Sequence, residues 1–210
     1  MKVLITVPNL GWLHKEVVYK LLMLQKDNRY ELEFYLPQNK PIENNYHNIL
    51  TKFINEKFDF WLSIDADNPP IKNPLDLVEL DLDIVGLPTP IWYNTFKKGE
   101  RPVYLNGFEK AENGQYAEYK KMEGLQEVDA IGTGCFVAAR RIFENDFIRK
   151  EGFHKTWKTD GTMKKGGDLM FCDRLKKEGF KIWMHYGYFC DHYVEVSLNE
   201  VMDSINNIII

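Results

Sequence analysis

Apolar and polar positions recur in a regular order along the first third of the chain. Lys2-Val3-Leu4-Ile5-Thr6-Val7 alternates, then runs apolar, and Pro8 stops it. That pattern predicts a buried first strand. Between Gly11 and Leu24 the apolar residues Leu13, Val17, Leu21 and Leu24 fall at the spacing of a helix face. Tyr30, Leu32, Phe34 and Leu36 alternate with polar neighbours and predict a second strand. Asn44 to Lys57 reads as a second helix with Ile49, Phe53 and Ile54 on one side. Phe58 to Ile64 is a third apolar run, closed by Asp65-Ala66-Asp67-Asn68-Pro69-Pro70. Strand, helix, strand, helix, strand in this order implies right-handed crossovers and a parallel sheet.

The pattern is more broken beyond that point. Asp81 to Leu87 reads as a fourth strand. Residues 88 to 124 are rich in Pro, Gly, Tyr, Asn and Lys and predict loops with short strands such as Pro102 to Leu105. Val128 to Ile131 and Cys135 to Ala139 are strand-like and flank Gly132-Thr133-Gly134. A short helix is expected over Arg140 to Asp146, then a polar, Lys- and Gly-rich loop over 147–166. Asp168 to Glu178 predicts a helix ended by Gly179, and Phe180 to Met184 a strand. Ser197 to Asn207 reads as a last helix, with Ser197 as N-cap and Glu200 completing a capping box.

Composition narrows the class. The 210 residues fit one domain, and 44% hydrophobic with 14% aromatic residues is enough for a substantial core. A net charge of −4 argues against a general nucleic-acid binder, although a local basic groove is compatible with it. The run after Met1 is too short and too polar on its far side for a signal peptide or anchor, and no stretch approaches the ~20 apolar residues that span a bilayer. Cys135, Cys172 and Cys190 form no CxxC pair, so no zinc ribbon is expected, and three unpaired thiols fit a reducing cytoplasm.

Candidate chemistry begins at Asp65 and Asp67. In open α/β sheets ligands bind beyond the carboxyl ends of the strands, where Asp65 falls after Phe60-Trp61-Leu62-Ser63-Ile64. Two carboxylates at i and i+2 in a turn can converge on one hard cation, which then neutralises a diphosphate. The chain carries its own control in Asp81-Leu82-Asp83, where alternation with Leu80, Leu82 and Ile84 reads as the outer face of a strand.

The other candidates carry two readings each. Gly132-Thr133-Gly134 is an incomplete GxGxxG; it reads as a tight turn or as a place where backbone meets a ligand. Asp168 is either a carboxylate complementing a helix dipole or a general base carried by a Gly-rich loop. His192, in Phe189-Cys190-Asp191-His192-Tyr193, is either structural or a metal ligand beside carboxylates. Cys190 reads as buried packing, and His14, Trp12, Trp92 and Tyr93 as core, surface or pocket wall.

In order, these segments resemble the GT-A glycosyltransferases, close to the large family-2-like group, over nearly the whole chain. Ile5-Thr6-Val7-Pro8 resembles the strand whose end cradles the nucleotide base, and Asp65-Ala66-Asp67 the DxD motif that holds metal and donor diphosphate. Asp129 to Phe136 resembles the Gly-containing segment before the acceptor side. Gly167 to Arg174 resembles the stretch that usually reads Gly-Glu-Asp before a helix with Phe and Arg. His192 matches the C-terminal His that completes the metal site in several such families. Gly167 stands where the family has Glu, so the base role falls on Asp168 alone.

The resemblance implies one GT-A domain: a Rossmann-like, mixed α/β sheet flanked by helices, with a nucleotide-binding half at 1–87 and an acceptor half at 88–210. The expected reaction is sugar transfer from a nucleotide-diphosphate sugar to an acceptor hydroxyl, with inversion if Asp168 is the base and retention open if Asp168 only positions substrate. The implied donor site is Thr6, Val7, Pro8, Asp65, Asp67, Gly132 and Gly134; Asp65, Asp67 and His192 would hold Mn²⁺ or Mg²⁺, and Asp168 is the base. A glycan, a protein and a modified nucleic-acid base all remain open as acceptor. The rivals are a sugar nucleotidyltransferase, disfavoured because Thr6 to Gly11 holds one Gly, and a non-catalytic binding domain of the same fold.

Overall fold

The computed structural model describes residues 1–92, 103–156, 159–160, 166–199 and 201–202. Its centre is one seven-stranded mixed sheet. The first three strands, β1 (Lys2–Thr6), β2 (Glu31–Tyr35) and β3 (Phe60–Ile64), are parallel, with β1 in the middle. Helices α1 (Lys15–Leu24) and α2 (Glu43–Asn55) are the crossovers. β4 (Ile84–Gly86) follows a 3₁₀ helix over Pro74–Leu80. The sheet order is β2-β1-β3-β11-β4-β12-β9, with β9 at Leu125–Val128, β11 at Cys135–Ala139 and β12 at Ile182–His185. β11 enters antiparallel between β3 and β4, and β12 runs parallel to β4. Two small sheets stand beside it: β5 (Pro90–Trp92) with β6 (Val103–Leu105), and β7 (Gly107–Lys110) with β8 (Tyr116–Glu118) and β10 (Ala130–Ile131).

Strand alternation sorts the core into two clusters. Leu4, Trp61, Phe136 and Ile182 face Ile49 and Phe53 of α2, together with α3 (Arg140–Glu144), α4 (Asp146–Glu151) and α5 (Gly167–Lys177). Val3, Ile5, Leu62, Ile64 and Val137 face Val17 and Leu24 of α1 and the 3₁₀ helix. Trp61 is the hub of the first cluster, 5.0 Å from Phe136 and 5.4 Å from Phe143. Its Nε1 donates to the Thr6 hydroxyl at 2.7 Å, so neither buried polar group is orphaned.

Four expectations need correction. The fourth strand begins at Ile84, not Asp81: Asp81 closes the 3₁₀ helix in the left-handed region (φ 46°), which ends the alternating run. Arg141 holds both acids, at 2.7 Å from Asp81 and 2.6 Å from Asp83. The helix expected over 140–146 is two helices, because extended Asn145 breaks the chain and caps α4 through its side chain. The polar loop expected from 147 is helical to Glu151, since Ile148 is fully buried and anchors it. The final strand runs Ile182–His185 rather than from Phe180. Of the last helix, 198–199 and 201–202 are helical, with the Val201 amide donating to the Ser197 carbonyl; Glu200 and 203–207 lie outside the described residues.

The loop leaving β1 is fixed by buried amides that sequence pattern does not register. Asn9 Nδ2 donates to the carbonyls of Val7 and Pro37, and its Oδ1 accepts from Gly11. Asn45, fully buried in α2, donates to the Asn9 carbonyl at 3.1 Å and accepts from Asn39 at 2.7 Å. Asn45→Ala removes both partners at once. It is expected to cost about 1–3 kcal/mol in denaturant-measured stability; a change below ~0.5 kcal/mol would show the network to be redundant.

Candidate functional site

The carboxyl ends of β1, β3 and β4 open on one side, and the chain passes three loops across them. Each residue of Asp65-Ala66-Asp67 is held through its main chain by a different segment. The Asp65 amide donates to Gly134 at 2.7 Å, the Ala66 carbonyl accepts from His14 at 2.8 Å, and the Asp67 carbonyl accepts from Tyr193 at 3.0 Å. The Tyr193 ring stacks on His14 with centroids 3.8 Å apart. The segment after β12 also pairs Cys190 with Pro70 and bonds Asp191 to Pro69, so 189–193 lies as a strap along the acidic loop.

That strap carries His192 to Asp67. Its Nε2 lies 3.8 Å from Asp67 Oδ2, and its Nδ1 is 2.7 Å from the Pro90 carbonyl. A carbonyl only accepts, so Nδ1 carries the proton. In the neutral ring Nε2 then presents a lone pair to a carboxylate, an arrangement that calls for a proton or a metal ion between them. A backbone carbonyl orienting the far nitrogen is the usual support of a metal-bound His. Two atoms sharing an ion at about 2.1 Å each lie at most ~4.2 Å apart, and this pair is within that limit. Among the described residues no group of three or more His, Cys, Asp or Glu side chains is placed to hold an ion. The separation of Asp67 and His192 is compatible with a shared divalent cation, but no third protein ligand stands with them among the described residues.

Asp65 and Asp168 bring further negative charge to the same place. Burial pushes the Asp65 carboxyl well above the usual carboxylate range, and the Asp67 and Asp168 carboxylates push it further. Asp168, in the first turn of α5, is raised chiefly by burial; the Leu169 amide bonds its Oδ1 at 2.8 Å and draws it back, as does Lys155. Asp168 thus serves the helix end and also lines a cavity of about 180 Å³ with Tyr46, Thr133, Phe153 and Lys155. Lys155 is paired with Glu43. A larger cavity, about 720 Å³, lies away from the acids between α2 and α4, walled by His47, Leu50, Ile54, Arg149 and Lys150. Its size does not make it the reaction site, because Asp65, Asp67, Asp168 and His192 are all elsewhere.

The remaining candidates separate by where their side chains point. Thr6 is fully buried with its hydroxyl taken by Trp61, and Val7 and Pro8 are buried, so what β1 offers a ligand is its backbone end. Gly132 and Gly134 form the turn between β10 and β11 with no positive φ. Space is their reason: a Cβ on Gly132 would sit 2.8 Å from Asn106 Nδ2, and one on Gly134 3.2 Å from Thr89 Oγ1. Cys190 is buried, Trp12 is exposed and Trp92 half-buried; Tyr93 lies outside the described residues. Sequence reasoning missed Tyr46, Thr89, Asn68 and Asn106. Only Asn68, next to Asp67, carried a positional signal.

No family model matches the chain, and no curated protein matches it by sequence. Among solved structures it is similar to A197 from STIV, with a TM-score of 0.63 and 18% identity over 93% of this chain and 87% of that one. It is also similar to GalNAc-T7 solved with UDP, GalNAc and Mn²⁺ (TM-score 0.54, 10% identity, 94% of this chain and 44% of that one). Apo UDP-glucose pyrophosphorylase is a third (TM-score 0.50, 11% identity, 98% and 97%). At these identities the likeness shows the fold alone: a mixed α/β sheet flanked by helices, of the GT-A type. No helix among the described residues is long and apolar enough to cross a membrane.

Proposed function

We propose that the protein transfers a sugar from a nucleotide-diphosphate sugar to an acceptor hydroxyl with the help of a divalent cation. The observation that carries this is the Asp67–His192 pair at 3.8 Å, with Nδ1 committed to Pro90 and Asp65 beside it. A carboxylate–imidazole pair suits Mn²⁺ or Mg²⁺, and the positions it leaves are those that substrate phosphates and water fill. The bound ion supplies charge neutralisation of the diphosphate as it leaves. Residues 1–87 are assigned to the donor, whose base meets the backbone end of β1 at Thr6, Val7 and Pro8, and residues 88–210 to the acceptor. Neighbours of the same fold, GalNAc-T7 solved with UDP, GalNAc and Mn²⁺ and a UDP-glucose pyrophosphorylase, support a nucleotide-sugar reading.

Asp168 is the base of the reaction. It lies within electrostatic reach of Asp65 and opens onto a cavity that also holds the Tyr46 ring and Thr133. There it takes the proton of the acceptor hydroxyl, which attacks the anomeric carbon opposite the departing diphosphate and inverts it. The test is product identity. With Mn²⁺ and a panel of UDP- and GDP-sugars, release of a nucleoside diphosphate supports sugar transfer, whereas consumption of a sugar phosphate and nucleoside triphosphate with pyrophosphate release identifies a nucleotidyltransferase. Tight nucleotide binding that ignores EDTA would sink the role of Asp65 and Asp67.

The imidazole has its own prediction. His192→Ala is expected to weaken Mn²⁺ binding roughly 10- to 100-fold. The melting temperature should hold, since the backbone bonds that pin the strap at Cys190, Asp191 and Tyr193 survive the change. Equal Mn²⁺ titrations of variant and wild type would assign His192 to structure alone.

A further inference from the structure

Helix α1 is apolar on two faces, and the fold covers one of them. Val17 and Leu24 are buried against the sheet, with Leu13 and Leu21 packed beside them. Val18, Tyr19, Leu22 and Met23 form a second stripe, at i, i+1, i+4 and i+5, and each is 41–59% exposed. A helix that meets the core on one side ordinarily carries polar side chains on the other. Trp12, two residues before the N-cap His14, is equally exposed. So is Ile71, whose carbonyl accepts from Lys20 Nζ at 2.9 Å, which sets the Ile71 loop against the flank of α1. Exposed apolar side chains gathered on one face mark an interaction surface.

The free charges around the stripe are of one sign. Lys15 and Lys26 stand at its two ends, about three turns apart and so on the same face. Both are exposed, and neither makes an ion pair or a side-chain hydrogen bond among the described residues. Lys72, next to Ile71, is a third exposed cation. The nearby acids are turned aside. Glu16 lies about a quarter-turn off the stripe, and Asp27 is held by Arg29 at 2.6 Å and by Asn73 at 2.9 Å.

This pattern decides what covers the face. Two copies of α1 packed about a two-fold axis, parallel or antiparallel, would set lysine against lysine at each end, with no acid on the stripe between them. The face is also small for a dimer. A helix of ten residues is about 15 Å long and offers roughly 300 Å² on one side, against about 800 Å² per partner in a standard interface. An anionic lipid surface meets both features, since it is apolar below and negative above.

We infer that α1 lies flat on an anionic phospholipid bilayer, with Trp12, Val18, Tyr19, Leu22 and Met23 in the acyl boundary and Lys15, Lys26 and Lys72 on the lipid phosphates. Trp and Tyr suit that boundary, because their rings are apolar while the N–H or O–H stays wet. Apolar insertion and cation attraction act together, as anchoring at a membrane surface requires. Docking there sets the acidic turn near the bilayer, because the His14 amide donates to the Ala66 carbonyl.

The experiment is cosedimentation of the full chain with phosphatidylcholine vesicles, with and without phosphatidylserine, at low salt. The wild type should partition onto the vesicles that contain phosphatidylserine and only weakly onto the others. Leu22→Gln with Met23→Gln should weaken partitioning by about tenfold or more. Lys15→Gln with Lys26→Gln should weaken it by about 30-fold, each lysine contributing about fivefold. Both double variants should keep the wild-type melting temperature, because every replaced side chain is exposed. No partitioning of the wild type, unchanged partitioning of either double variant, or equal partitioning onto both kinds of vesicle overturns the inference. So does self-association of the wild type that Leu22→Gln with Met23→Gln abolishes, which would give the face to a second copy.

Discussion

Asp168→Asn is expected to lower single-turnover transfer by about 10²- to 10⁴-fold at saturating donor and Mn²⁺, with donor affinity within a few-fold of wild type. The substitution keeps shape and removes charge. Its Oδ1 still accepts from Leu169, so the first turn of α5 is preserved. A base acts on the reacting proton alone, which is why turnover falls and affinity does not. The pH profile gives a second readout. Burial raises the Asp168 carboxyl, and the base works only when ionised. Activity should therefore decline as pH falls through a value above the ordinary carboxylate range, and that limb should vanish in the variant. A single-turnover rate within a few-fold of wild type would rule Asp168 out and reopen the stereochemical outcome.

Removal of the divalent cation, or Asp67→Ala, should reduce transfer by about 10²- to 10³-fold or more, the scale of several kcal/mol of charge stabilisation. Burial raises the Asp65 carboxyl, and the neighbouring Asp67 and Asp168 carboxylates push it further. A diphosphate brings further negative charge to them, so without a cation even binding is opposed. Asp67→Ala leaves the loop in place, because its carbonyl still accepts from Tyr193 and Asp65 still bonds Gly134. Calorimetric titration of a UDP-sugar with Mn²⁺ and with EDTA checks this. The wild type should respond strongly to the metal, and the variant should be nearly indifferent to it.

The parallel half of the sheet was legible because its signals are local. β1, α1, β2, α2 and β3 each bury a face set by period, and the crossover rule fixes their order. β11 was visible as a strand, but nothing local says that it inserts antiparallel between β3 and β4. The same holds for the site. Asp65, Asp67, Asp168 and His192 could be singled out by type and context, and the structure brings Asp67 to His192 and Asp65 within reach of Asp168. Asn106 lies in a stretch without period, and its contacts with Thr89 and Gly132 are ones that only the folded chain makes. Asp81 and Asp83 show the converse: their spacing equals that of Asp65 and Asp67, yet Arg141 occupies both.

The strap over 189–193 also sets a clock. Asp67 and His192 are separated by about 125 residues, and every strand of the seven-stranded sheet precedes the strap in the chain. At ribosomal speeds of about 5–20 residues per second, that interval is on the order of ten seconds. A nascent chain can thus lay down its parallel strands and its acidic turn well before it owns an imidazole to complete them. Under the proposed function such a half-made molecule would hold the ion poorly, and competence would arrive as a last, separate event. A chain stopped after Tyr188 retains all twelve strands of the described residues, and under the proposed function tight Mn²⁺ binding is expected only once synthesis has passed the strap.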